Sequence, residues 1–349
     1  MMDAGNDQTD ANARMLSSEL TLSLVLVTYG ARLNLVNQAV RQALLHRCVK
    51  SVIIVDNDST PSVDKSLFDP LDRDRVHVLR QKTNTGSAGG YNTGLSYARN
   101  LTQIDYIVLL DDDLIIDQPT VSALLGYIQD NSGCEAVIIP RDDRPDQFAS
   151  LAAGRAPVIK TNSFHDFHIL NWRRLLHRHK PNGSRSRAAS KAVPVDYAPY
   201  AGMVLSVALV RRAELPDLEL YVYCDDYDYL MKLKIAGGYP VLIDSPPLRS
   251  IDQSWNQKSG RAPAPFNNAA PVFRVYYSVR NRVAYERRFF VDNYLMYIVN
   301  MVAFLVVGSL VSLSQSPVSV RRLRLLATAI KDGWRGNLGR NDEAVRRYT

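Results

Sequence analysis

The sequence is poor in cysteine, and its few thiols do not pair by spacing. Cys48, Cys134 and Cys224 are the only three among 349 residues. The lack of CxxC pairs and of any cysteine/histidine spacing suited to zinc excludes a disulfide scaffold and a zinc module. Such thiols fit a reducing, cytoplasmic environment. No apolar run behind a basic start opens the chain, so residues 1–20 are no secretory signal and read as a disordered, polar tail. No internal repeat is visible. The G-x-G-x-x-G nicotinamide fingerprint and the G-K-[ST] of a phosphate loop are both missing, although a glycine-rich stretch exists where either would be sought.

The rest of the composition is that of a globular protein, 46% hydrophobic and 22% charged. The length admits one large α/β domain with an appended segment. A net charge of +7 is concentrated in 172–191 and after Arg321, which implies an anionic partner surface: nucleic acid, anionic lipid or a diphosphate-bearing substrate. His165, His168, His177 and His179 lie in or beside the first basic stretch. They lack supporting carboxylates and read as solvated loop, not as a metal site.

Along the chain, short apolar runs alternate with helical stretches. Strands are expected at 22–27, 51–55, 76–79, 106–110, 136–140, 201–206 and 239–243, and helices at 33–46, 93–101, 119–131, 225–236 and 271–288. This is the pattern of a doubly wound sheet. In such sheets ligands bind beyond the carboxyl ends of the strands. Thr28, Asp56 and the run Asp111-Asp112-Asp113 all fall at strand ends and so share one predicted edge.

The aspartate run is the strongest chemical signal. Alternate carboxylates at a strand end can share a hard divalent ion that in turn binds diphosphate oxygens, and Mn²⁺ or Mg²⁺ suits such ligands. Asp56 could accept hydrogen bonds from a pyrimidine base or a ribose. The stretch from Asn84 through Gly86, Gly89 and Gly90 to Gly94 reads as a loop whose backbone can approach a ligand closely, ahead of a helix N-terminus that favours anions. A second acidic cluster, Asp225-Asp226 with Asp228, opens a helix. Its functional reading is a general base for an acceptor hydroxyl, Asp226 first and Asp225 second. Arg280 is a candidate for stabilising the charge on a leaving diphosphate.

Residues 294–314 run for about twenty positions without a charge, enough to cross a bilayer of roughly 30 Å. Basic residues flank both ends. A membrane span, a helix lying in the interface and a buried soluble helix are the three readings, the last the weakest.

Together, residues 27–29, 55–57, 84–95, 111–113 and 225–228 resemble glycosyltransferase family two, the inverting GT-A enzymes, across about 22–255. The resemblance implies a GT-A nucleotide-diphospho-sugar transferase fold, Rossmann-like with a mixed central sheet. It also implies a donor half at 21–140, an acceptor half at 141–255, and a C-terminal helical, membrane-associating region at 256–349. Residues 84–91 and 276–282 are most similar to bacterial galactofuranosyltransferases, with rhamnosyltransferases second. From this follow a UDP-sugar donor, UDP-galactofuranose first and dTDP-rhamnose as the alternative, and inversion by direct displacement with Asp226 as base.

The resemblance further implies a polyprenyl-diphosphate-linked glycan acceptor and a place on the cytoplasmic side of the inner membrane. Nucleic acid is not expected as a partner, since no such motif competes; homo-oligomerisation is left open. The family's metal comes with it, on Asp111 and Asp113, with Thr28, Asp56, Asn84, Gly86, Gly89, Gly90, Asp111, Asp112 and Arg280 around the donor. One departure stands out: where the family often places a metal-binding histidine, this chain reads Arg249-Ser250-Ile251-Asp252-Gln253, and Asp252 is the substitute ligand. A nucleotidyltransferase and a non-catalytic scaffold are the competing classes. The first would need a basic glycine-rich loop after the first strand, which residues 28–34 lack.

Overall fold

A computed structural model describes residues 20–171, 191–252, 264–313 and 317–349. Apart from Leu20, the tail expected at 1–20 lies outside the described residues, as does most of the basic stretch 172–191. The apolar runs form a central sheet with strand order β3-β2-β1-β4-β8-β6-β9-β7. These strands are β1 (Leu22–Thr28), β2 (Val49–Asp56), β3 (Val76–Arg80), β4 (Tyr106–Asp111), β6 (Ala136–Ile138), β7 (Ala192–Pro194), β8 (Met203–Ser206) and β9 (Val241–Ile243). A separate two-stranded ribbon pairs β5 (Leu114–Ile115) with β10 (Arg249–Ser250).

The first four strands are parallel, and β8 enters antiparallel to both β4 and β6. The sheet is therefore mixed, as the GT-A fold requires. Its central strands read as near-continuous hydrophobic runs because both faces are covered. On one face α1 (Leu33–Leu44) and α3 (Gln118–Asp130) close a core around Leu24, Ile54 and Val108. On the other, α2 (Gly86–Ala98), α5 (Val207–Arg212) and α6 (Asp225–Ile235) close a second around Val25, Ile53 and Leu109. The helix α4 (Pro145–Ala153) contributes Leu151 to the second core.

One expected element is corrected. The glycine-rich stretch is not a ligand-cradling loop ahead of a helix at 93–101; it is itself the first half of α2. Its glycines let the helix lie directly on the sheet and its neighbours. A Cβ on Gly89 would run into Thr85, one on Gly90 into Val27 and one on Gly94 into Val25, while Gly86, at φ +72, backs onto the carbonyl of Tyr221. Close helix–strand packing is one of the few jobs that only glycine performs.

The C-terminal helices are α7 (Val272–Phe289), α8 (Tyr294–Leu313), α9 (Val320–Arg335) and α10 (Asp342–Tyr348). They build a third core of Tyr276, Tyr297, Phe304 and Leu325, joined by Phe164 and Phe167 from the preceding domain.

A test of the packing account is Gly90→Ala. In an exposed helix this change stabilises by up to about 1 kcal/mol, but the added methyl would meet Val27 here, and overpacking costs about 1–3 kcal/mol. The midpoint of chemical denaturation should fall; a rise would show that the helix does not depend on contact with β1.

Candidate active site

The register of the sheet sets Thr28 beside Asp56, and Val27 beside Asp111. Three strand ends thus meet at one edge, with Asp111 one position short of the Thr28–Asp56 row. Asp111, the last residue of β4, accepts hydrogen bonds from the Tyr91 hydroxyl at 3.0 Å and from Arg141 Nη1 at 2.9 Å. Asp112 and Asp113 form the turn into β5. Asp112 is buried and accepts from Thr28 Oγ1 at 2.6 Å and from Arg32 Nε at 3.0 Å. The same guanidinium reaches Asp113 Oδ2 at 2.9 Å and lies 3.4 Å from Asp252 Oδ2. Asp252 arrives there because the β5–β10 ribbon carries the chain back along the turn: Ile251 N–H donates to the Asp113 carbonyl at 2.9 Å.

Burial pushes Asp112 up to about 7, against the opposing pull of Thr28 and Arg32. Burial, with Asp111 next in effect, also raises Asp113. Arg141 is shared, since it also serves Asp143.

Arg32 and Arg141 are the functional residues that sequence reasoning missed. Arg141 follows β6 and so stands in a strand-end position like the aspartates, which was the available signal. Nothing in the spacing singles out Arg32; only the need of three adjacent carboxylates for a counter-charge points to a cation.

Several expected donor contacts are rearranged. Asp56 is wholly buried and turned into its own loop, accepting from Ser59 N–H and Val63 N–H at 2.8 Å each and from Arg80 at 2.7 Å. It holds a turn and offers no open face to a base. The Asn84 side chain accepts from Gly86 N–H at 2.9 Å and from Asn57 at 3.2 Å. With Gly89 and Gly90 packed against protein, the backbone there is not free to cradle a ligand.

Arg280 is also corrected. Its guanidinium is fully buried, donates to the Gly339 carbonyl at 2.6 Å and stacks over Tyr277, so it has no face left for a diphosphate.

The second acidic cluster opens α6 as expected, and an irregular loop leads into it. Tyr221, Tyr223 and Cys224 all have φ between 63° and 65°, a left-handed region that ordinary side chains rarely adopt. The loop survives because Asn281 on α7 donates to the carbonyls of Leu220, Val222 and Tyr223 at 2.6–2.8 Å. The segment 276–282 is thus a brace for the loop that presents Asp225 and Asp226.

Asp225 is buried and receives the Ser87 hydroxyl at 2.6 Å. Asp226 lines a cavity of about 320 Å³ with Arg144, His165, Tyr197, Tyr223 and Tyr227. Burial raises both carboxyls, and the negative charge of Asp111 adds to the rise at Asp226. The helix α2 also joins the two clusters, since Ser87 donates to Asp225 and Tyr91 to Asp111.

A divalent ion has suitable donor chemistry here, since Asp111, Asp113 and Asp252 offer only hard oxygens. The geometry is less ready. Among the described residues no three histidine, cysteine or acidic side chains converge as a preformed metal site. The guanidinium of Arg32 lies against Asp113 and Asp252 and that of Arg141 against Asp111, and an ion would have to replace them.

Residues 23–191 match the family model described as Glycosyl transferase family 2. That likeness to a glycosyltransferase domain covers just under half of the chain. No curated protein matches it. Among solved structures it is similar to S. aureus TarS, at 13% identity and TM-score 0.51, over 95% of this chain and 50% of that one. It thus spans half the length of that relative, and the likeness is one of fold. A second TarS structure, residues 1-349 in complex with UDP-GlcNAc, gives 13% identity and TM-score 0.49 over 90% and 80% of the two chains. GalNAc-T7 with UDP, GalNAc and Mn²⁺ gives 12% identity and TM-score 0.49 over 92% and 55%.

Replacing Asn281 with alanine should strip the Val222 and Tyr223 carbonyls of this donor, leave Leu220 to Val222 N–H and Arg280, and cost about 2–3 kcal/mol. Turnover should fall further than UDP binding, because the brace holds the loop that presents Asp225 and Asp226. Equal losses in calorimetric UDP binding and in turnover would overturn that role.

Proposed function

We propose that the chain transfers a sugar from a nucleotide diphosphate to a hydroxyl acceptor with inversion. The observation carrying this reading is that Asp226 lines a cavity while α2 links its neighbour Asp225 to Asp111: Ser87 donates to Asp225 at 2.6 Å and Tyr91, one turn on, donates to Asp111 at 3.0 Å. A base for the acceptor and a cluster suited to the donor diphosphate are thereby held about one helical turn apart.

In the proposed reaction the Asp226 carboxylate takes the proton from the acceptor hydroxyl. The oxygen attacks the anomeric carbon from the face opposite the diphosphate, the carbon–oxygen bond to phosphate breaks, and the nucleoside diphosphate leaves. The raised basicity of Asp226 suits it to this step. Tyr197, Tyr223 and Tyr227 supply aromatic faces on which a sugar ring can pack. Thr28 and Arg32 orient Asp112, while Tyr91 and Arg141 orient Asp111.

The donor to test first is UDP-galactofuranose, with dTDP-rhamnose second. This choice rests on the resemblance of 84–91 and 276–282 to those enzymes, since both segments serve packing in this fold. A polyprenyl-diphosphate-linked glycan is the proposed acceptor. Mn²⁺ or Mg²⁺ held by Asp111, Asp113 and Asp252 would neutralise the leaving diphosphate when bound.

Asp226→Asn should lower turnover by about 10²–10⁴-fold while leaving UDP binding intact, in a screen of UDP- and dTDP-sugars. In the native chain the acid limb of kcat/KM should lie above the ordinary carboxylate value of about 4. A raised pKa means that the base is lost, and the rate falls, while the pH is still above that value. An unchanged rate in the variant would sink the assignment.

Arg32→Gln tests the counter-ion account separately. Freed carboxylates should bind Mn²⁺ about tenfold more tightly in the absence of nucleotide, a change of about 1.4 kcal/mol, by calorimetry. Unaltered affinity would mean that Arg32 does not compete for the ion's place.

A further inference from the structure

The helix α8 is built inside out. The side packed on the protein carries Tyr297, Asn300, Phe304, Gly308 and Ser312. Polar groups on that side are satisfied internally: Asn300 donates to the Asn162 carbonyl and accepts from Ile169 N–H, each at 2.8 Å, and Ser312 donates to the Gly308 carbonyl at 2.8 Å. Gly308 lets Phe266 approach so closely that a Cβ would not fit.

The opposite side consists of Leu295, Val299, Val302, Val306, Leu310 and Leu313, each at least 40% exposed. These fall at helical spacing in an unbroken apolar stripe about 30 Å long, at 1.5 Å per residue. A helix facing water places its polar residues outward. Reversal of that rule marks a surface whose surroundings are not water.

Two features choose among coverings. Directly after α8 in the chain, α9 exposes Val320 and Leu323 beside Arg321, Arg324 and Lys331, and residues 320–331 contain no acidic side chain. Cationic side chains beside exposed apolar ones on α9 fit an anionic lipid surface. The buried side of α8, moreover, is engaged from Tyr297 to Ser312. A transmembrane course would carry Asn162, Ile169 and their backbone groups into hydrocarbon along with the helix, where unpaired polar groups are costly.

We propose that α8 lies flat in one leaflet of an anionic membrane, docked through its Leu295–Leu313 stripe with the basic face of α9 at the headgroups, and does not cross the bilayer. The inference extends the reading above by bringing the cleft to a surface where a lipid-linked acceptor resides. It does not depend on turnover.

The test uses the full chain and vesicles of phosphatidylcholine with or without an equal part of phosphatidylglycerol. Flotation should recover the chain with the anionic vesicles and far less with the neutral ones. Val302→Glu and the double variant Arg321→Glu with Arg324→Glu should each abolish recovery while UDP binding, as a check on folding, is retained. Nitroxide labels on cysteines introduced at Leu295, Val302 and Leu313 should report one shallow depth at all three positions. A deep centre with shallow ends would establish a span and overturn the proposal. So would failure to bind either vesicle, including a concentration-dependent dimer that Val302→Glu disperses, which would make the stripe an interface between two copies. Failure of the glycosyltransfer reading would instead appear in the donor screen, with vesicle binding unaffected.

Discussion

Asp111, Asp112 and Asp113 stand side by side at the end of β4, where the sheet brings Asp252 and Asp143 to the same edge. Like charges so close repel, and burial deepens the cost because low-dielectric surroundings screen them poorly. The fold meets the cost with Arg32, Arg141, Thr28 and Tyr91, each drawn from a different segment. Those contacts fix the start of α1, the end of β6 and the packing of α2 against β4. The acidic edge therefore organises this half of the sheet even before any ligand is considered.

The same economy governs the acceptor side. Asp225 and Asp226 are raised by burial in a loop with left-handed backbone, and that loop depends on hydrogen bonds from Asn281. Arg280 and Gly339 tie α7 to the chain end, so the C-terminal helices are structurally continuous with the active-site loop. If α8 rests on a membrane, docking and acceptor chemistry share one mechanical unit through α7. The polar interior face of α8 and its apolar exterior would then be two sides of a single adaptation.

Much of the fold was legible because it rests on local signals. Continuous apolar runs ending in Thr28, Asp56 and Asp111 announced parallel strands with polar carboxyl ends, and the observed register aligns them. The glycine stretch misled for a physical reason. Glycine serves both close ligand approach and close helix packing, and only the position of Val25 and Val27 beneath α2 distinguishes the two. Arg280 misled similarly, since an arginine on a helix reads alike whether it faces a ligand or a buried carbonyl.

The sequence by itself determined the succession of strands and helices, the two acidic clusters and the charge-free length of 294–314, because each is carried by neighbouring residues. Tertiary structure alone decided which cation answers which carboxylate, since Arg32 meets Asp252 across 220 positions of chain. It also decided that Asp56 turns inward, and that α8 buries its polar face. Those outcomes depend on what lies opposite a side chain in space, and spacing along the chain does not encode that.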